Sequence, residues 1–464
     1  MLELQLDLPD GRGRRAALEA ALRTAIRAGR LRAGAPLPST RVLAADLGVS
    51  RSTVVAAFEQ LAAEGYLNAK QGSATSVAAV ATPAATDAEI DVFGPTPRHD
   101  FRPGEPDGSS FPRARWLRSV RRVLSEAPDR AIGYPDPRGV PVLRSVLADY
   151  LARTRTVVAD RSALRIVGGY SAGLGFVADA LRHRGVTRIA TEDPVLPIHT
   201  DILRATGLET VPVHLDAEGI DVRQLARNDV GAVVVTPAHQ YPTGVTMSPE
   251  RRAELIAWSR RNDAWIIEDD YDGEYRHDRR PIGAMQGLAP DSVVYAGTAS
   301  KSLSPALRIA WLVVPEALQG DLLRVTNMRA GVSAIDQLAL ADFVDHGELD
   351  RHVRQMRRRY RRRSDALRSV LDEVAPWLEL GDGAAGLHLM ARLTNAGIDE
   401  ATVLTAADRA SVGLFGLTTH HRSSAAGSGF AIGFSRPAEH HFPVALEHLA
   451  DLLASIQPTS HTAR

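Results

Sequence analysis

Apolar positions recur at helical spacing near the start of the chain and give way, further along, to short apolar runs separated by helical segments. Ala17, Leu18, Ala21, Leu22 and Ile26 share one face of a helix predicted over Arg14–Arg27 and ended by Gly29. After the break at Pro36-Leu-Pro38, Ser39 or Thr40 caps a short helix carrying Val42, Leu43, Ala45 and Leu47. Gly48-Val-Ser50 turns the chain, and Ser50 caps a third helix from 51 to about 64. Residues 65–77 read as a small hairpin, with Lys70 and Gly72 near its tip. Helix, turn, helix and wing in that order predict a DNA-binding module over residues 1–77.

Residues 78–98 are rich in alanine, threonine and proline and carry little periodicity, which predicts a linker. Beyond it, Arg188-Ile-Ala, Ala232-Val-Val-Val235 and Ala264-Trp-Ile-Ile267 alternate with helical segments. That alternation predicts a large doubly wound sheet in an α/β unit over 99–456. A length of 464 residues agrees with two or three domains.

Charge balances at 55 basic against 55 acidic residues, so nucleic-acid binding has to come from a local surface. Residues 1–77 hold ten Arg and Lys against seven Asp and Glu, an excess small enough that binding should need a dimer. The absence of cysteine excludes disulfides, thiolate zinc sites and cysteine nucleophiles. No apolar run is long enough to cross a bilayer and no signal-peptide core is seen, so a cytoplasmic, membrane-free protein is expected.

Arg51, Ser52 and Thr53 occupy the N-terminal turn that a recognition helix presents to the major groove, and Arg41 opens the preceding helix. A plain three-helix bundle with solvated arginines is the alternative. The segment PLPSTRVLAADLGVSRSTVVAAFEQLAAEGYL resembles the winged-helix domain of GntR-type bacterial regulators.

Only two of the basic residues are lysines, Lys70 and Lys301. A lysine amine can lose its proton and form a Schiff base; a guanidinium cannot. Lys301 follows the apolar run Ser292-Val-Val-Tyr-Ala and is predicted to emerge at a strand end, where α/β sheets place their sites. Thr298 and Ser300 offer hydroxyls beside it, and Arg308 a planar fork for phosphate.

Three further constellations precede it. Val167-Gly-Gly-Tyr-Ser-Ala-Gly-Leu174 opens a helix after a strand and suits phosphate, although a simple strand-to-helix turn fits equally. Thr236-Pro-Ala-His-Gln-Tyr-Pro-Thr-Gly244 is a polar loop after a buried strand. In Ile266-Ile-Glu-Asp-Asp-Tyr271, Asp269 suits the nitrogen of a pyridine ring and Tyr271 its phenolic oxygen. A metal-binding or solvated cluster of Glu268, Asp269, Asp270 and Asp272 is the competing reading. In sequence order, phosphate site, acidic strand end, lysine and arginine make a pyridoxal phosphate pocket.

The motifs GYPDPRG, GGYSAGL, TPAHQYPTG, IIEDDYDGEYRH and GTASKSLSPALRIAW resemble the MocR subfamily of GntR-type regulators, which includes those of the PdxR type. In that subfamily a winged helix is fused to a fold-type I PLP-dependent aminotransferase-like domain, a large mixed sheet with helices and a small C-terminal α/β subdomain. The resemblance implies pyridoxal 5'-phosphate held as a Schiff base on Lys301, with Asp269 at the pyridine nitrogen and Tyr271 at the ring oxygen. It further implies a phosphate cradle of Tyr170, Ser171, Thr298 and Arg308, and a homodimer in which Tyr134 reaches the neighbouring subunit's phosphate.

The chain departs from the pattern at several places. Leu196 stands in Glu192-Asp-Pro-Val-Leu-Pro197 where an aromatic residue commonly stacks on the cofactor, and the wing reads Gly72-Ser-Ala-Thr75 in place of GSGT. The strand Gly429-Phe-Ala-Ile-Gly-Phe434 lacks the arginine that grips a substrate carboxylate in aminotransferases; Arg422 and Arg436 flank it, with Arg422 preferred. These gaps favour a sensor of pyridoxal phosphate, or of an amino compound condensed with it, acting through double-stranded DNA. An active aminotransferase with a DNA-binding arm and a repressor whose second domain only dimerises are the other readings. His199, His239 and His388 are candidates for the effector side, each with an ordinary buried histidine as the alternative. The run from Arg351 to Arg363 predicts a basic helix with Val353, Met356 and Tyr360 as its apolar stripe, either a solvated face or an added DNA-backbone contact.

Overall fold

A computed structural model describes residues 13–68, 74–79, 96–277, 282–327, 331–381, 383, 385–395, 397–423 and 427–456. The chain divides into two compact units, Met1–Pro95 and Thr96–Arg464. The first holds helices α1 (Arg14–Arg27), α2 (Thr40–Asp46) and α3 (Arg51–Ala63), followed by strands β1 (Leu67–Asn68) and β2 (Ser76–Val77). Leu18, Leu22, Leu43, Val54, Phe58 and Leu61 close its core. Helical periodicity located that face, but Val42 points outward, half exposed, and Ala44 takes the inward position. Two side-chain caps start the second and third helices: Ser39 Oγ accepts from Val42 N at 3.3 Å and Ser50 Oγ from Thr53 N at 3.1 Å. Each cap contributes about 1 kcal/mol by satisfying an otherwise unpaired amide. β1 and β2 pair antiparallel, Leu67 opposite Val77, as a wing requires. The wing tip, including Lys70, and the stretch 80–95 lie outside the described residues.

In the second unit, β3 (His99–Asp100) precedes an eight-stranded sheet. Its strands are β4 (Leu164–Val167), β5 (Arg188–Asp193), β6 (Glu209–Asp216), β7 (Gly219–Ile220), β8 (Ala232–Val235), β9 (Trp265–Asp270), β10 (Val293–Thr298) and β11 (Ala310–Val313). The spatial order is β4-β11-β10-β9-β8-β5-β6-β7. The central neighbours from β10 through β6 run parallel, whereas β11 runs antiparallel to both β10 and β4, and β7 antiparallel to β6. The sheet is therefore mixed. Helices cover both faces, which explains why β8 and β10 are buried along their whole length.

A second, four-stranded antiparallel sheet follows, in the order β12 (Leu378–Leu380), β13 (His388–Leu393), β16 (Gly429–Gly433), β15 (Phe415–Gly416). β14 (Val412–Gly413) leaves this subdomain to pair in parallel with β3. The long helix Glu348–Val374 buries Val353, Met356 and Tyr360 against the core, the stripe expected from sequence. Among the described residues no helix is long and apolar enough to cross a membrane.

Candidate functional site

Strand ends build one cavity of about 290 Å³ in the second unit. β9 delivers Asp269 and Tyr271, β10 delivers Thr298, and the short helix Ala299–Ser302 that follows β10 delivers Ser300 and Lys301. The helix Tyr170–His183 points its N-terminus at the same space, so that Gly169, Tyr170 and Ser171 line it together with Arg308. Residues separated by more than a hundred positions thus converge because parallel strands end on one edge of the sheet.

The alternation of side chains along β9 resolves the acidic cluster. Asp270 turns away from the cavity, where Arg155 Nε and Nη2 donate to it at 2.6 and 2.9 Å and the Tyr295 hydroxyl donates at 2.7 Å. Glu268, on the same side, accepts from the backbone amides of Met285 and Gln286 at 2.8 and 3.0 Å. Asp269 faces the cavity, and its Oδ1 is buried without a hydrogen-bond partner. Burial pushes its carboxyl well above the usual range, Asp270 adds to the effect, and Lys301 opposes it. Among the described residues no group of three or more His, Asp or Glu side chains is arranged to hold a metal ion.

Lys301 is partly buried, and loss of solvent lowers the proton affinity of its amine against the pull of Asp269, Asp272 and Glu105. Its Nζ donates to the carbonyl of Gly104. The loop is held by Thr298, whose hydroxyl accepts from Ser300 N at 3.1 Å and donates to Ser300 Oγ at 3.0 Å. Gly169 takes φ +102°, and Arg308 takes φ +51°, a left-handed conformation uncommon for a residue with a side chain. These two unusual backbones place the guanidinium beside the helix N-terminus. Free amides and an arginine fork meeting at one point form an anion cradle.

The residues present fit pyridoxal phosphate. A buried carboxyl at Asp269 with an unpartnered Oδ1 suits a pyridinium nitrogen, the anion cradle suits a phosphate, and the amine of Lys301 lies at the same cavity. Leu196, Val234 and His199 supply walls. The His199 ring lies tilted against that of Tyr170, centroids 4.9 Å apart, and is held neutral, its pKa brought down to about 4 by burial and then by Lys301.

Four of the candidates sit elsewhere on the protomer. His239 is buried behind Tyr271, bound to Asp272, and does not line the cavity. Arg422 does not line it either: its backbone amide is anchored on Asp193 at 2.8 Å and its Nη2 donates to the carbonyl of Thr419 at 3.2 Å. Arg436 is engaged with Asp100 and Glu105, both at 2.6 Å. Tyr134 is fully exposed on the protomer. His388 does line the cavity, its Nε2 3.1 Å from the carbonyl of Pro242. Sequence reasoning overlooked Gly104, Glu192, Tyr241 and Phe415, all of which line it. Glu192 and Tyr241 were within reach, since the one lies at the end of β5 and the other in the loop after β8.

In the first unit Arg41 and Arg51 show no hydrogen bond or ion pair among the described residues, and Ser52 Oγ and Thr53 Oγ1 lie 2.8 and 2.7 Å from Ser50 Oγ. The start of α3 is thus a pre-ordered hydroxyl cluster. In the basic helix, Arg359 and Arg363 are tied to Glu439 at 3.0 and 2.9 Å, while Arg354 and Arg358 are exposed.

Residues 14–77 match the family of bacterial regulatory proteins, gntR family, and residues 101–421 match aminotransferase class I and II. The chain is 36% identical to the probable rhizopine catabolism regulatory protein MocR of Rhizobium meliloti, over 82% of this chain and 81% of that protein. The chain belongs to the MocR-type regulators of the gntR family. A second member, the HTH-type pyridoxine biosynthesis transcriptional regulator PdxR of Corynebacterium glutamicum, is 31% identical over 93% of this chain and 94% of its own length. Membership makes this MocR-type chain a DNA-binding transcriptional regulator with an aminotransferase-like domain. Among solved structures, an archaeal alanine:glyoxylate aminotransferase superposes with a TM-score of 0.71 at 24% identity, over 78% of this chain and 91% of that one. Pyrococcus horikoshii kynurenine aminotransferase gives 0.69 at 22% identity over the same shares. At such identity these neighbours establish the fold alone.

Proposed function

We propose that this regulator binds pyridoxal 5'-phosphate at Lys301 and uses the cofactor, or an amino compound condensed with it, as the signal that changes its hold on DNA. The observation carrying this reading is the convergence of Lys301, Asp269, Tyr271 and the anion cradle on one cavity. Bound there, the cofactor supplies an aldehyde that captures a primary amine and a ring that withdraws electrons from it. Burial leaves more of the Lys301 amine unprotonated at neutral pH, the form that attacks a carbonyl. Asp269 holds a proton at the pyridine nitrogen, and Tyr271, whose phenol burial keeps neutral, donates to the ring oxygen. Tyr170, Ser171, Thr298, Ser300 and Arg308 anchor the phosphate. In a homodimer, the exposed Tyr134 extends toward the neighbouring subunit's site.

Sensing asks only that ligand bind one arrangement of the dimer better than another. Turnover asks more, because an amino acid must be oriented by its carboxylate for proton transfer at Cα. Arg422 and Arg436 are both engaged elsewhere, which supports sensing over transamination. Arg41, Arg51, Ser52 and Thr53 are assigned to DNA, with Arg51 and the hydroxyls at the N-terminal turn of α3.

The test is chemical. Protein incubated with pyridoxal phosphate and reduced with borohydride should gain the mass of one reduced cofactor per chain, on the peptide containing Lys301, and Lys301→Ala should gain none. A wild type that traps no cofactor would leave a domain that only dimerises. Steady turnover of an amino acid with a keto acid, abolished in Lys301→Ala, would establish the enzyme reading.

A further inference from the structure

Behind Tyr271, outside the cavity, one nitrogen faces two oxygens. His239 Nδ1 is 2.9 Å from Asp272 Oδ2 and 3.1 Å from the Tyr271 hydroxyl. His239 is 4% and Asp272 1% exposed, so water does not compete for either contact. The backbone of Gly386 closes over the pair. A Cβ there would come within 2.0 Å of His239 Cε1 and 2.7 Å of Asp272 Oδ2, and φ is +82°, so this close approach requires glycine.

Nδ1 carries at most one proton. With that proton present, Nδ1 donates to the Asp272 carboxylate and cannot accept from Tyr271; engaged by His239, the carboxylate competes less for the Tyr271 O–H, which is left to point into the cavity. With Nδ1 bare, the Tyr271 O–H turns back toward it, and the Asp272 carboxylate faces a lone pair at hydrogen-bond distance, which is repulsive. A carboxylate at Asp272 therefore selects the first arrangement. The surroundings do not offset it. His388, with its ring 4.8 Å from that of His239, and His277 are both kept neutral by burial, and Tyr241 is a neutral phenol. On the cavity side, Asp269 and Lys301 are both shifted by burial toward their neutral forms.

Resting on the cofactor reading above, we infer that His239 and Asp272 are positioning residues that aim the Tyr271 hydroxyl proton at the cofactor's ring oxygen, and thereby set the pH at which cofactor bound to Lys301 loses its chromophore proton. A donor aimed at that oxygen stabilises its anionic form, so the proton leaves at lower pH. Without the Asp272 carboxylate, bare Nδ1 can accept from Tyr271, and a glutamine at 239 offers an acceptor in its place; Tyr271 then divides its proton between two acceptors and the midpoint rises.

The experiment loads wild type, Asp272→Asn, His239→Gln, Tyr271→Phe and the double variant Asp272→Asn/Tyr271→Phe with pyridoxal phosphate and follows visible absorbance against pH. The expected result is an upward shift of the midpoint by about one unit, tenfold in proton affinity, in Asp272→Asn and His239→Gln. Tyr271→Phe should shift it the same way, and the double variant should move no further than Tyr271→Phe alone. If Asp272→Asn fails to fold, His239→Gln gives the same readout. Variants that bind cofactor and titrate at the wild-type midpoint, or a double variant whose shift is the full sum, overturn the inference. A wild type that forms no absorbing adduct overturns the cofactor reading itself, a distinguishable result.

Discussion

A Cβ placed on Gly169 would lie 3.3 Å from Cζ of Arg308, in contact with the guanidinium that completes the anion cradle. Gly169 also holds φ +102°. Alanine there meets backbone strain of about 1 kcal/mol and pushes the fork away from the helix N-terminus. Gly169→Ala should weaken pyridoxal phosphate binding roughly tenfold or more. Pyridoxal, which lacks the phosphate, should bind nearly as before. Paired spectroscopic titrations with the two aldehydes check this, and equal losses for both would place the phosphate elsewhere.

The hydroxyl cluster at the start of α3 gives a separate prediction for the DNA-binding unit. Ser50→Ala removes the cap on Thr53 N and the tether of Ser52 and Thr53, costing about 1 kcal/mol in stability of that unit. Sequence discrimination on DNA should fall with it. Arg51→Ala should lower affinity, and loss of about one unit in the salt slope would mark a phosphate contact.

A helix-turn-helix and a doubly wound sheet were legible in the chain because both rest on local chemistry. Ser39 and Ser50 announce helix starts, and Leu164-Arg-Ile-Val167 reads as a strand from its own composition. The site was legible as motifs at strand ends, and Lys301, Asp269, Tyr271, Tyr170, Ser171, Thr298, Ser300 and Arg308 do line one cavity. Tertiary partners were not legible. The partner of Asp270 is Arg155, 115 positions away, so four neighbouring carboxylates looked like one cluster. Strand periodicity was the available signal, since it sends Asp269 and Asp270 to opposite faces. His239 looked like an effector contact because nothing in its loop reveals that Gly386 seals it against Asp272. Arg422 stood at a plausible distance in sequence, but Asp193 anchors its backbone.

Breaking the pair behind the sheet should be costly. Arg155 and Asp270 are 3% and 2% exposed at the side chain, and removing one partner leaves an uncompensated buried charge. Asp270→Asn should destabilise the second unit by about 3–5 kcal/mol in denaturant unfolding. The first unit, monitored separately, should be unaffected.

Glu192 predicts a pH dependence. Burial raises its pKa from 4.5 to about 7, while Thr236 and Gln240 act in the opposite sense. Between those values the folded chain binds a proton that the unfolded chain has lost. Stability therefore falls as pH rises from 4.5 toward 7, and the loss levels off above that. Glu192→Gln has no such proton, so its melting temperature should gain on wild type across this window, by an amount equivalent to at most a few kcal/mol. A constant difference between the two proteins would show that Glu192 is ionised in the fold throughout.

The central claim is that chemistry at Lys301 is transmitted to DNA. It is tested most directly by a salt-controlled titration of the gene's own upstream region with wild type and Lys301→Ala, each with and without pyridoxal phosphate. The account predicts a cofactor-dependent change in affinity or footprint in wild type that is absent in Lys301→Ala. Identical binding by both proteins under all conditions, with cofactor shown to be attached to the wild type, would contradict it and turn attention to an amino effector or to catalysis.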